Sequence, residues 1–313
     1  MRFLIIGAGA LGGYYGGMLQ RGGANVTFLV RPRRATQLAE RGLTIRAGND
    51  VFTTPVRAVQ AGAVGGPYDL VLLVCKAYDL DAAIDDFLPA LARDGAVLPF
   101  LNGVNHIAIL SDRLGAGRVL GGVTLFSVVR SQEGDITVPG HGTQQTLFGE
   151  LTGQRSGRCE AIHTAFTAGG LRTTISEDIV AEMWAKFSGF AGASAVSVLT
   201  RARAGEIAAA PGGAAFVAAA LDEAGRVASA EGYSMPTKIR DMYIRVFSQV
   251  GSDGAPSILF DVENRRPTEA EHIYGDLVRR ADRLGVDVPI LRAALCNLQI
   301  YEARRRASDV TSS

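Results

Sequence analysis

Cysteine and histidine are scarce in this chain, and their placement excludes two kinds of centre. The three cysteines, Cys75, Cys159 and Cys296, lie far apart with no C-x-x-C spacing, so neither a disulfide framework nor a thiolate metal site can be read from them. Reduced thiols of this kind fit a cytoplasmic protein. The four histidines show no metal-ligand spacing, and no metal is expected. An excess of one charge is lacking too. With 32 Lys+Arg against 31 Asp+Glu, the net charge of +1 leaves no electrostatic footprint for nucleic acid. The only basic run, Arg304 to Arg306, precedes a polar tail that reads as frayed. Repeats and low-complexity linkers are missing, and 313 residues at 47% hydrophobic suit about two domains.

One stretch lacks charge altogether. Phe3 to Gln20 carries none, yet it is marginal for a bilayer, which needs about 20 apolar residues. Its glycines would weaken a spanning helix, so no membrane segment is expected. A cleavable signal fits poorly as well, because it would strip the second strand pattern of its partner. The run FLIIGAGALG instead sets an apolar strand before Gly7, Gly9 and Gly12, the spacing of a dinucleotide-binding turn. One glycine turns sharply out of the strand, one lets pyrophosphate approach the backbone, and one packs helix on sheet. The helix that follows, Ala10 to Arg21, closes at Gly22 and Gly23 and aims its positive N-terminus at the phosphates. Gly7, Gly9, Ala10, Leu11 and Gly12 are the expected cofactor cradle.

The second strand, Asn25 to Val30, lacks at its end the Asp or Glu that holds an NAD ribose roughly 20 residues past the glycines. Arg31 stands there, followed by Arg33 and Arg34. With no carboxylate to repel a 2′-phosphate and guanidinium groups able to clamp one, NADPH is the expected cofactor. A solvated basic turn is the alternative for Arg33 and Arg34.

The first half alternates Val/Leu/Ile runs with helical stretches, and the second half reads almost wholly at helical period, with the change near residues 170 to 176. The pattern predicts an α/β Rossmann-type domain over 1–173 and an all-helical domain over 174–313. Leu70 to Cys75 and Ala96 to Leu101 read as buried parallel strands. Lys76 and Asn102 then stand beyond their carboxyl ends, where open α/β sheets bind ligands. Segments near Val123 to Val129, Asp135 to Val138 and Gln145 to Phe148 read as further strands completing the sheet. Ser176 with Glu177 and Asp178 reads as an N-cap and acidic first turn. Ile179, Met183, Lys186, Phe190 and Ser194 share one helical stripe, so a lysine sits on an apolar face. That position is costly unless the amine is paired, used, or snorkels to the surface.

Taken in order, GAGALG, Arg31, VCKAYDLDAA around Lys76, LNG at Asn102, GHGTQQTLFGE, WAKF at Lys186 and PSILFDVENRRPTEAE from Pro256 to Glu271 resemble the ketopantoate reductase (2-dehydropantoate 2-reductase) family over nearly the whole chain. The resemblance implies NADPH-dependent reduction of a small 2-oxo acid, with Lys186 as general acid and Glu269 as its acidic partner. It also implies that Ser257 contacts substrate and that Lys76 and Asn102 hold the nicotinamide end and the substrate. Capping alone could explain Glu269, which follows Pro267 and Thr268 at a helix start, and Ser257 after Pro256. The family carries asparagines four and eight residues after the lysine and another near RAGE. This chain has Phe190, Ser194 and Ala204 instead, so amides for a substrate hydroxyl and carboxylate are missing. Two readings of a different substrate or role stay open beside reduction of 2-dehydropantoate: a paralogue acting on a more apolar 2-oxo acid or ketone, and a silent NADP-binding sensor. A homodimer is also left open.

Overall fold

The computed structural model describes residues 1–139 and 144–311, so residues 140–143, the GHGT of the GHGTQQTLFGE motif, lie outside the described residues. The chain divides into two compact units. One holds Met1–Leu101 and His106–Glu182, the other Asn102–Asn105 and Met183–Ser313.

In the first unit the apolar runs form a five-stranded parallel sheet. Its order is Arg57–Val59 (β5), Asn25–Leu29 (β2), Arg2–Ile6 (β1), Tyr68–Leu73 (β6) and Leu91–Pro99 (β7). Alternate residues of β1 enter different cores: Phe3 and Ile5 pack on one face, Leu4 and Ile6 on the other. Two-sided burial is why this strand is apolar from Phe3 to Ile6. Because β2 and β6 flank β1 on opposite sides, the topological switch point lies at the carboxyl end of β1, where α/β sheets bind ligands. Ala10–Arg21 (α1) leaves that end and closes at Gly22. Its Tyr14, Tyr15, Met18 and Leu19 pack into the first core.

The later strands do not complete this sheet, contrary to the pattern. Leu43–Ala47 (β3) and Asp50–Thr54 (β4) join Val129–Arg130 (β9) and Ile136–Val138 (β10) in a four-stranded sheet ordered β4-β3-β10-β9. Leu120–Thr124 (β8), Thr146–Glu150 (β11) and Thr173–Ile175 (β12) form a third, ordered β12-β11-β8. The run read as one strand over Val123 to Val129 breaks after Thr124, so its two ends serve different sheets. β8 takes β11 as its partner, and among the described residues a single isolated bridge, Val97–Val119, pairs the backbone of that region with β7.

Ile179–Thr200 (α6) opens the helical part. Its cap is Asp178 and not Ser176: Asp178 Oδ1 accepts from Ala181 N at 3.2 Å. Ser176 still belongs to the sheet, its N–H donating to the Phe148 carbonyl at 2.8 Å. Ala204–Ala209 (α7), Gly213–Ala230 (α8), Thr237–Val246 (α9), Ser257–Glu263 (α10), Asp276–Leu284 (α11) and Pro289–Thr311 (α12) follow. Glu223 of α8, 4% exposed, caps α12 from the side by accepting from the N–H groups of Ile290 (3.1 Å) and Leu291 (3.0 Å). Those first-turn donors have no partner within their own helix. The polar residues after the basic run Arg304 to Arg306, read as a frayed tail, continue α12 as far as Thr311. The run itself lies inside α12, where Arg305 pairs with Glu302 one turn back at 3.2 Å. Among the described residues no helix is long and apolar enough to cross a membrane.

Candidate active site

The glycine turn has the shape that a dinucleotide requires. Gly7 leaves β1 at φ +94°, a conformation that costs a side-chain-bearing residue dearly. A Cβ on Gly12 would stand 2.0 Å from the Gly7 carbonyl oxygen, so only glycine lets the helix close on the turn. Gly9, at the N-cap of α1, makes no side-chain cap bond, and a Cβ there would meet nothing within 4 Å. The first-turn amides of α1, on Ala10, Leu11 and Gly12, have no partner within the helix and stand at its positive end, which suits pyrophosphate.

The three arginines after β2 have distinct tasks. Arg34 braces the turn: its Nε donates to the Ala8 carbonyl at 3.0 Å, and its other nitrogens reach Gln37 and the Gly134 carbonyl. Burial pulls its pKa down to about 10, helped by the nearby Arg130. It is committed to the fold. Arg33 is exposed. Arg31 projects with 79% of its side chain exposed, and its Nη2 meets both oxygens of Asp79 at 2.7 and 2.8 Å. A carboxylate does therefore stand beside Arg31, against the sequence reading. It comes from the segment after β6 and not from the end of β2, so a spacing rule written for β2 could not reveal it. Lys76 opens the 3₁₀ turn Ala77–Asp79 that carries this carboxylate.

The second unit holds the lysine. From Met183 to Val198, α6 is buried at every position except Lys186 and Phe190, which are half-buried and one turn apart on one face. Burial lowers the Lys186 pKa from 10.5 to about 8, and Glu269, 6% exposed, acts against that fall. Glu269 directly precedes a helical segment that continues as a π-helix over Glu271–Gly275 and then as α11, and such π segments concentrate at functional sites. His272 in that segment is drawn to Glu269 and Asp276, and its ring bonds the backbone of Asn102. Burial nevertheless keeps its pKa below 6.5. The Asn102 turn fits tightly here, with Gly103 at φ +84° and the space for its Cβ 3.1 Å from His272 Nε2.

Ser194, two turns beyond Lys186, is buried, and its hydroxyl bonds the Tyr274 hydroxyl at 2.7 Å. Burial raises the pKa of that phenol. Ser257 is exposed at the first turn of α10, and Ala204 is buried at the start of α7. Among the described residues no group of three or more His, Cys, Asp or Glu could hold a metal ion.

Two family models match the sequence: ketopantoate reductase PanE/ApbA over residues 3–153 and its C-terminal counterpart over 178–302. A 2-dehydropantoate 2-reductase of Halobacterium salinarum is 30% identical over 298 residues, spanning 93% of this chain and 96% of its own length. The chain belongs to the ketopantoate reductase family. It is an oxidoreductase of that family. The uncharacterized oxidoreductase YkpB of Bacillus subtilis is 32% identical over 308 residues, 97% of this chain and 100% of YkpB. The crystal structure of a PanE/ApbA family ketopantoate reductase from Ralstonia eutropha superposes at a TM-score of 0.88 with 26% identity, covering 98% and 100% of the two chains. A D-mandelate dehydrogenase complex with NADH and anilino(oxo)acetate reaches the same TM-score at 21% identity, which speaks for the shared fold.

Three side chains of this ketopantoate reductase family member lie beyond what the motifs disclose. Asp79 sits inside the VCKAYDLDAA motif, yet no rule ties it to Arg31, 48 residues away. Glu302 fixes the approach to Glu269 by accepting from both the amide (2.6 Å) and the hydroxyl (2.9 Å) of Thr268. The only hint of that contact is an acid on a long C-terminal helix. His272, one of four scattered histidines, carries no signal until the π-helix brings it beside the Asn102 turn.

Proposed function

We propose that the protein reduces 2-dehydropantoate to pantoate with NADPH. The observation that carries this reading is a half-buried lysine whose pKa falls to about 8, acted on by the charge of a buried glutamate, in the largely buried Met183 to Val198 stretch of α6. NADPH, when bound, supplies the hydride. Hydride arrival at the 2-oxo carbon leaves negative charge on the oxygen, and the Lys186 ammonium stabilises that charge and donates its proton. Glu269 keeps the amine charged near neutral pH against the cost of burial. In the first unit Gly7, Gly9, Ala10, Leu11, Gly12, Arg31 and Lys76 hold the dinucleotide. In the second, Asn102, Phe190, Ser194 and Ser257 meet the substrate.

One observation favours a second reading. Phe190 is the half-open neighbour of Lys186, and the Ser194 hydroxyl is already bonded to Tyr274, so this side of the lysine suits a 2-oxo acid or ketone with a more apolar side chain. NADPH oxidation by the purified protein tests both, measured against 2-dehydropantoate, 2-oxoisovalerate, pyruvate and oxaloacetate with Lys186→Ala alongside. Turnover of 2-dehydropantoate that disappears in the variant supports the first reading, and turnover confined to another acid supports the second. Inactivity on all four despite tight NADPH binding would favour a sensor.

A further inference from the structure

The Arg31–Asp79 pair is exposed, with one guanidinium nitrogen, Nη2, bonding both carboxylate oxygens. Arg31 follows β2 and Asp79 follows β6, the two strands flanking β1, so the pair spans the sheet at the carboxyl end that carries the glycine turn. Of the neighbouring cations, Arg34 is committed to Ala8, Gln37 and Gly134, which leaves Arg31 as the guanidinium with ordered geometry at this edge.

We infer that Arg31 and Asp79 form a selector for the 2′ position of the adenosine ribose, so that the site takes both nicotinamide cofactors with only a modest preference. The inference rests on the reading above that Arg31 meets the 2′ group. A 2′-phosphate must take Arg31 from Asp79 and lie against the carboxylate it displaces, which opposes NADPH. A 2′-hydroxyl can donate to the Asp79 carboxylate while the ion pair stays closed, which favours NADH. An arginine–phosphate contact gives about a ten- to hundredfold preference. An exposed ion pair offsets up to about fivefold of it. With the full offset the expected NADPH-to-NADH preference is about two- to twentyfold.

Calorimetric titration of the full chain with NADPH, NADH, 2′,5′-ADP and 5′-ADP tests this in three proteins: unaltered, Asp79→Asn and Arg31→Ala. In Asp79→Asn the two 2′-phosphate ligands should bind about two- to fivefold more tightly and NADH more weakly. Arg31→Ala should abolish the preference. An Asp79→Asn protein that binds NADPH more weakly, or whose NADPH-to-NADH ratio does not rise, overturns the selector. An Arg31→Ala protein that keeps its full NADPH affinity overturns the assignment of Arg31 to the 2′ position itself, and the selector falls with it.

Discussion

Replacing Glu269 by glutamine should move the alkaline limb of the pH profile and leave the chemistry intact at low pH. Lys186 falls from 10.5 to about 8 because burial disfavours its charge, and Glu269 limits that fall. At pH 7.5 a pKa of 8 keeps about three quarters of the amine protonated. An opposite charge at close range is worth roughly 1 to 3 pKa units, so without the carboxylate the amine would titrate at roughly 5 to 7. A value of about 6.5 leaves about a tenth of it protonated at pH 7.5. In the unaltered protein, kcat/KM for reduction should be level below pH 8 and fall about tenfold per unit above it, because the free enzyme must carry the proton that it donates. The reverse oxidation uses the neutral amine and should rise through the same pH. In Glu269→Gln the break should move down by more than one unit, with reduction recovering toward pH 5.5. Steady-state rates over pH 5.5 to 9.5 with a saturating cofactor decide the matter. If the break stays near 8 in the variant, or activity is lost equally at every pH, Glu269 does not set the charge on Lys186. A flat profile in the unaltered protein would remove Lys186 as the acid.

Four further outcomes are open to measurement. Arg31→Asp should move the NADPH-to-NADH ratio of kcat/KM toward NADH by about ten- to hundredfold, and an unmoved ratio would leave the cofactor assignment without its main support. Gly12→Ala places a Cβ where the Gly7 carbonyl oxygen stands, so NADPH should no longer raise the melting temperature; a normal ligand-induced shift would show that the turn relaxes around the methyl. Phe190→Asn should raise kcat/KM for 2-dehydropantoate relative to 2-oxoisovalerate if the apolar reading of the substrate holds, and unchanged or worse values count against that reading. Glu223→Ala removes the acceptor for two first-turn amides of α12 and should lower unfolding stability in urea by about 1 to 3 kcal/mol; a loss under half of that would mean water replaces the cap.

What the sequence disclosed and what it concealed divide by range. The β1 run, the glycine turn, α1 and its Gly22 stop are local matters of period and backbone freedom, and they lie where the pattern put them. Lys186 was legible for a related reason: a lone cation on an apolar stripe is anomalous within a few turns of its own helix. The Ser176 cap failed because the choice between Ser176 and Asp178 is made by a strand partner, Phe148, far along the chain. The extra strands failed the same way. A short apolar run specifies extended backbone but not which sheet will accept it, and β8 found β11 where the pattern offered it to the main sheet.

The same division bears on the site. A carboxylate beside Arg31 was sought at the end of β2, where a local spacing rule places it, and its absence there read as a preference for phosphate. In the folded chain Asp79 arrives from beyond the neighbouring strand β6 and stands 2.7 Å from the Arg31 guanidinium. Charge selectivity depends on which groups share a few ångströms, and a parallel sheet gathers its loop residues from strands tens of positions apart. Glu302 on Thr268 and Tyr274 on Ser194 are joined in the same way, across 34 and 80 residues. The anomalous Lys186 could thus be found from one helix read alone, whereas the groups that tune its charge and the carboxylate that meets Arg31 could be found only after the strands and helices were assembled.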